Sequence, residues 1–172
     1  MCPPRIKEGF NTFQVDVSDR EINSASEKCD ILIALNKEAL NKELNNLNDG
    51  AVVICDESIA RDSLFREHDN VVPAPLVEIA KNNGGELMKN TVALGALINI
   101  LDLPLKGFNT ILAENFGGKK EVVEQNKKAL SEGYNWAQKS KINLPNMRSL
   151  GSSLKGLARD KLGNLLMTGN QS

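Results

Sequence analysis

The sequence predicts an α/β domain, a mostly parallel sheet flanked by helices, on three observations. Ile31-Leu32-Ile33-Ala34-Leu35 and Ala51-Val52-Val53-Ile54-Cys55 are apolar on both faces, as strands inside a parallel sheet covered on either side must be. Between them Ala39, Leu40, Leu44 and Leu47 recur at spacings near three and four, an amphipathic helix of the length a parallel crossover needs. The chain has 172 residues, enough for one domain with a sizeable core plus an appendage and too few for two full domains.

The elements follow in order. Asn11 to Ser18 alternates, with Phe13, Val15 and Val17 on one side and Thr12, Gln14 and Asp16 on the other, which predicts a strand with one buried face. Asn36 is placed to cap a helix from Lys37 to Leu47, and Asn48-Asp49-Gly50 is expected to stop it before the strand Ala51 to Cys55. A polar stretch after Asp56 leads to a short strand at Val71-Val72-Pro73-Ala74-Pro75, ended by its prolines. A helix from Leu76 to Asn82 and a turn at Gly84-Gly85 come next. Asn90 to Leu101 reads as a nearly all-apolar, deeply buried helix in which Gly95 permits close approach of a neighbour. Leu105 to Phe116 and Lys119 to Ser140 are two further helices divided by Gly117-Gly118. Residues 143 to 161 have the composition of a linker, and an apolar stretch begins beyond it.

Composition narrows the function classes. Hydrophobic residues make up 41% and charged residues 25% of the chain, and the net charge of -1 supplies no long-range attraction for nucleic acid or an anionic membrane. Aromatic residues are only 4%, so the core must be aliphatic, which suits helix-on-sheet layers. Met1-Cys2-Pro3-Pro4-Arg5 does not open a signal peptide, and no apolar run would cross a bilayer, so a cytoplasmic location is expected. Cys2, Cys29 and Cys55 are odd in number and far apart, against both a disulfide framework and C-x-x-C ligation of a metal or cluster. Cys29 and Cys55 are expected as small buried thiols on strands.

His68, the single histidine, sits in the polar run Arg66-Glu67-His68-Asp69-Asn70 with no recognisable nucleophile beside it and reads as a solvated loop residue. Asp56-Glu57 follows a buried strand, at the end of the sheet where ligands bind, yet a helix cap or an exposed turn is the simpler reading. Gly117-Gly118-Lys119-Lys120 lacks the strand and spacing of a phosphate loop and reads as a helix break. Met88 and Trp136 read as core or subunit contacts, and the charges from Lys119 to Lys141 as a solvated helix face. No residue is assigned a catalytic or metal-binding role.

Taken together, Asn11 to Ser18, Cys29 to Asn36, Asn90 to Leu97 and Leu166 to Asn170 resemble the 2-oxoacid:ferredoxin oxidoreductases, specifically a gamma-type domain fused ahead of an alpha-type domain. Gly9, Asn11 and Thr12 match that family's R-G-G-x-N-T/Y segment, Asp30 to Asn36 its D-x-L-x-A-L-N strand, and Asn126, Ala129, Gly133 and Tyr134 its N-x-x-A-x-x-x-G-Y helix. The resemblance implies a gamma-type domain over residues 1–142, a linker over 143–161 and the opening of an alpha-type domain over 162–172. It also implies that the family's Gly-rich first strand and helix lie N-terminal to Met1. Lys7-Glu8-Gly9 stands where the family commonly has Arg-Gly-Gly.

The family decarboxylates a 2-oxoacid oxidatively to an acyl-coenzyme A, with electrons passed to ferredoxin. Thiamine diphosphate, Mg and 4Fe-4S clusters are then expected in partner chains rather than in this one, with coenzyme A as co-substrate. The implied partners are the alpha-type continuation, a thiamine-binding beta subunit and ferredoxin. Lys7, Asn11 and Thr12 are the implied coenzyme A contacts, and the isolated chain is expected to be inactive. The order gamma-type then alpha-type points to the 2-oxoglutarate branch, with the pyruvate and branched-chain branches open. The rival readings are a non-enzymatic interaction module and an independent nucleotide-binding domain.

Overall fold

The computed structural model describes residues 14–16, 27–61, 71–115 and 119–140. Three strands, β1 (Cys29–Ala34), β2 (Leu47–Asp56) and β3 (Val71–Ala74), pair in that order and in parallel. Helix α1 (Lys37–Glu43) connects β1 to β2, and the single-turn α2 (Glu57–Ala60) follows β2. Helices α3 (Leu76–Asn82), α4 (Lys89–Ile100), α5 (Leu105–Asn115) and α6 (Lys120–Lys139) complete the series. This is the expected α/β class, a parallel sheet under flanking helices.

Alternation along the strands divides the core. Ile31 and Ile33, Val52 and Ile54, and Val72 and Ala74 contribute to the cluster shared with α3, α4 and α6. Leu32, Ala34, Val53 and Cys55 form a second cluster with Leu40 of α1 and with Ile59 and Ala60 of α2. Each fully buried aliphatic side chain of this kind is worth roughly 1.5–3 kcal/mol relative to exposure. Pro73 pairs with Cys55 on β3, the last strand of the described order, where its missing N–H costs the ladder little.

Helix α4 is apolar nearly all round because it serves two clusters. Val92, Ala93 and Ile100 join the sheet-side core, while Ile98 and Leu94 meet Leu112 of α5 and Leu130 of α6. Its end is a complete Schellman cap. Leu103 N donates to Ile98 O and Asp102 N to Asn99 O, both at 2.9 Å, with Asp102 in the left-handed region at φ 53°.

The expected helix from Lys37 to Leu47 needs correction. Helix α1 ends at Glu43, a 3-10 turn spans Leu44–Asn46, and Leu47 already belongs to β2. Asn48-Asp49-Gly50 lies within the strand instead of before it. Leu47 is opposite Cys29 but Val52 is opposite Ile31, so β2 carries surplus residues there as a bulge. Gly50, at φ 79°, supplies the backbone conformation the bulge requires. Of the expected strand at Asn11 to Ser18, residues 14–16 are irregular and the rest lie outside the described residues. The linker at 143–161 and the segment 162–172 lie outside them as well.

Candidate functional site

The C-terminal ends of the three strands bring Asn36, Asp56 and Pro75 to one edge of the sheet, the edge at which open α/β sheets receive ligands. Here that edge is occupied by the protein's own helix starts. Asn36 Oδ1 accepts from Ala39 N at 2.7 Å and caps α1, as its position in the sequence implies. Asp56 Oδ1 accepts from Ser58 N at 3.0 Å and from Ser58 Oγ at 2.6 Å, capping α2. Its second oxygen, Oδ2, accepts from Val77 N of α3 at 2.9 Å.

One carboxylate therefore ties two helices to the end of β2. The reason is local: α3 starts at Pro75, which has no side-chain acceptor, so its exposed amides must be satisfied from elsewhere. Asp56 is 9% exposed, and burial alone would push its carboxyl up. The Ser58 hydroxyl, the Val77 and Ser58 amides and the charge of Lys89 outweigh that and hold it below its ordinary range. An anion so bonded is unsuited to accept a proton in a reaction, because protonating it would loosen both helix starts. The capping reading of Asp56 is thus the one observed. The part sequence reasoning missed is its bond to Val77; the signal available was a helix that opens on proline. Glu57 lies on the exposed flank with Arg61 at 3.5 Å.

Among the described candidates, Cys55 lies beside Asp56, its chain neighbour. Cys55 is fully buried beside Asp56, with its thiol pushed up to about 11 by burial and by that carboxylate. Cys29 is only half-buried, at the opposite end of β1, and its thiol is also raised, by burial and then by Glu43 and Asp30. Met88 and Trp136 pack against the sheet-side core. On α6, Lys127 pairs with Glu124 at 2.9 Å on an exposed face, as a solvated helix surface does. Lys119 precedes α6 and Lys120 opens it, consistent with a helix break. Lys7, Asn11, Thr12, His68, Cys2, Gly117 and Gly118 lie outside the described residues.

Between the end of α3 and the first half of α6 lies an open groove of about 320 Å³, lined among others by Asn82, Gly84, Glu121, Gln125 and Lys128. Its charges are mixed and do not converge. Among the described residues no group of three or more His, Cys, Asp or Glu side chains could hold a metal ion, and no helix is long and apolar enough to cross a membrane. The described arrangement combines side-chain caps at α1 and α2, a covered sheet and a close contact between α4 and α6.

Comparison with known proteins adds the following. The family described as pyruvate ferredoxin/flavodoxin oxidoreductase matches residues 1–136. The ketoisovalerate oxidoreductase subunit VorA of Methanothermobacter marburgensis is 29% identical over 140 residues, 80% of this chain and 29% of VorA. The 2-oxoglutarate synthase subunit KorC of Methanocaldococcus jannaschii is 27% identical over 139 residues, 78% of this chain and 73% of KorC. The chain thus spans less than a third of VorA but most of KorC. Among solved structures, the gamma subunit of a keto/oxoacid ferredoxin oxidoreductase from Geobacter sulfurreducens is similar at a TM-score of 0.61 and 26% identity, over 73% of this chain and 69% of that one. The 2-oxoglutarate:ferredoxin oxidoreductase of Magnetococcus marinus, solved with 2-oxoglutarate, coenzyme A and succinyl-CoA bound, shares the fold at a TM-score of 0.65 and 24% identity, over 74% of this chain and 23% of that one.

Proposed function

The chain belongs to the pyruvate ferredoxin/flavodoxin oxidoreductase family, and from that premise we propose that it is the gamma-type portion of a 2-oxoacid:ferredoxin oxidoreductase. In this reading it holds the subunits together and helps to enclose coenzyme A, while other chains supply the reactive groups. The observation that supports the reading is the likeness, over most of the length of each, to the KorC subunit and to the Geobacter gamma subunit, and the commitment of Asn36 and Asp56 to helix starts at the ligand-receiving edge agrees with it. At that edge the Asp56 carboxylate is held by helix starts, which leaves proton transfer to groups on other chains.

Thiamine diphosphate, Mg and the 4Fe-4S clusters belong, in this proposal, to the alpha-type continuation and a thiamine-binding beta subunit, with ferredoxin as electron acceptor. The described donor set does not fit a cluster. Cys29 pairs with Leu47 and Cys55 with Ala34, so the two thiols lie at opposite ends of the sheet. The domain division proposed is gamma-type over residues 1–142, linker over 143–161 and the opening of an alpha-type domain over 162–172, in a cytoplasmic enzyme.

Two substrate readings are carried. The proposed gamma-then-alpha order and the likeness to KorC, named for 2-oxoglutarate, favour 2-oxoglutarate, whereas the likeness to VorA, named for ketoisovalerate, favours a branched-chain 2-oxoacid. Co-expression with the adjoining chains, followed by coenzyme A-dependent reduction of viologen with 2-oxoglutarate, pyruvate and ketoisovalerate, separates them. Turnover of one oxoacid well above the others identifies the branch. A chain that stays unassociated, with no turnover, overturns the subunit reading in favour of a free-standing interaction module. Binding of NAD or ATP by the chain would favour a nucleotide-binding domain.

Lys7, Asn11 and Thr12 are proposed as coenzyme A contacts, with Lys7 on a phosphate. In the assembled enzyme Lys7→Ala should raise KM for coenzyme A roughly tenfold, the loss of one charge-assisted hydrogen bond. An unchanged KM rejects the contact.

A further inference from the structure

The chain holds two sites at which glycine directly follows an Asp or Asn: Asp49-Gly50 and Asn83-Gly84. With no Cβ on the second residue, its main-chain nitrogen reaches the preceding Cγ and closes a five-membered succinimide. Ring closure expels ammonia from Asn and water from Asp. Water then reopens the ring at either carbonyl, so Asn gives aspartate and isoaspartate, whereas Asp gives isoaspartate with no net change of mass. In an open peptide the Asn route is the faster, because a carboxylate anion resists nucleophilic attack.

The two sites differ in their surroundings. Asn83 is 4% exposed, and its Nδ2 donates both to Ile79 O at 2.8 Å and to Glu132 Oε2 at 2.6 Å. Gly84 is crowded as well: a Cβ there would lie 2.9 Å from Gln125 Cδ. Closing the ring requires the carboxamide to leave both partners, which needs a local opening of the contact between α3 and α6. Asp49 is exposed, in the surplus part of β2 between the pairings Leu47 with Cys29 and Val52 with Ile31. Gly50 stands at φ 79° with open space on its Cβ side.

We propose that the fold inverts the intrinsic order, so that the native chain isomerises at Asp49 while Asn83 is protected. The isoaspartate routes the main chain through the side-chain carbon and lengthens β2 by one methylene at the bulge. The bond from Asn48 Nδ2 to Asp30 Oδ1, 2.9 Å, adjoins the altered backbone.

The test is to age the full chain at neutral pH and physiological temperature, once folded and once in guanidinium chloride. Peptide mapping by electron-transfer fragmentation then quantifies isoaspartate at 49 and deamidation at 83. Isoaspartate at 49 should outpace deamidation at 83 in the folded sample, and the order should reverse in denaturant, with folding slowing Asn83 by about tenfold or more. Glu132→Ala should speed Asn83 in the folded chain, and Asp49→Glu should abolish the signal at 49. Deamidation at 83 as fast as isomerisation at 49 in the folded chain overturns the proposal. So does a folded sample without isoaspartate at 49 over a period in which the unfolded one forms it.

Discussion

Thr91 Oγ1 of α4 donates to Asn126 Oδ1 of α6 at 2.7 Å, across the contact between the two helices. Asn126 is buried and donates its own Nδ2 to Val122 O at 2.8 Å, so both ends of its carboxamide are satisfied. A buried polar pair of this sort costs little while complete and a good deal when halved. Asn126→Ala leaves the Thr91 hydroxyl without its acceptor, and Thr91→Val leaves Asn126 Oδ1 without its donor. Each change should lower unfolding stability by about 1–3 kcal/mol. The double variant should lose less than the sum, with a coupling of about 1 kcal/mol measured by urea denaturation. Strict additivity would mean that the bond contributes nothing.

The same two helices meet backbone to backbone at reciprocal glycines. A methyl group at Gly95 would overlap the Leu130 carbonyl oxygen, and one at Gly133 would overlap the Val92 carbonyl oxygen. On helix propensity alone, Gly→Ala in a helix interior gains about 1 kcal/mol. Here the obstacle is main chain, which cannot swing aside, so Gly95→Ala and Gly133→Ala should each cost about 3 kcal/mol net as α4 and α6 are forced apart. Chemical denaturation with an unchanged slope and a lower midpoint is the expected readout. Stabilisation by either alanine would show that the helices are not so close.

These contacts mark how far the sequence could be read. The apolar runs at β1 and β2 announced a covered parallel sheet, because few other environments bury both faces of a strand. The glycine at 95 announced a close approach, and Asn36 a helix cap. What stayed hidden was non-local: nothing near Asp56 reveals that its second oxygen reaches Val77, and nothing near Gly95 names Leu130 as the partner. Asn48-Asp49-Gly50 reads as a helix stop in the sequence yet forms a bulge, because a glycine with positive φ serves both purposes. The residues expected to contact coenzyme A, Lys7, Asn11 and Thr12, fall outside the described part of the chain.

Asp56 makes stability depend on acid in a defined direction. Its folded-state pKa lies below the unfolded one, held there against burial by the Ser58 hydroxyl, the amides of Val77 and Ser58, and Lys89. A depressed carboxylate stabilises fully above the unfolded value of about 4, and that contribution disappears as pH falls through the lower folded value. Thermal or urea denaturation between neutral pH and about pH 3 should therefore show a loss of stability that Asp56→Asn reduces. Asp56→Ala, which removes the acceptor from both α2 and α3, should cost about 2 kcal/mol at neutral pH, near the sum of two helix caps. An acid profile unaltered in Asp56→Asn would assign the acid sensitivity to other groups.

The two strand cysteines should differ in reactivity for the same electrostatic reasons. Cys55 has no exposed surface, and its thiol is pushed up to about 11 by burial and by the neighbouring Asp56 charge, so almost no thiolate exists at neutral pH and a reagent cannot reach it. Cys29 is also raised, through burial and the Glu43 and Asp30 carboxylates, but it is half-buried at the start of β1. In a Cys2→Ser background an aromatic disulfide reagent at neutral pH should titrate Cys29 slowly and leave Cys55 untouched until denaturant is added. Because Cys55 is reached only when the sheet opens, its labelling rate across denaturant concentrations should follow the unfolding transition. Rapid labelling of Cys55 in the native chain would place it at a surface and contradict the layer of α1 and α2 over that face of the sheet.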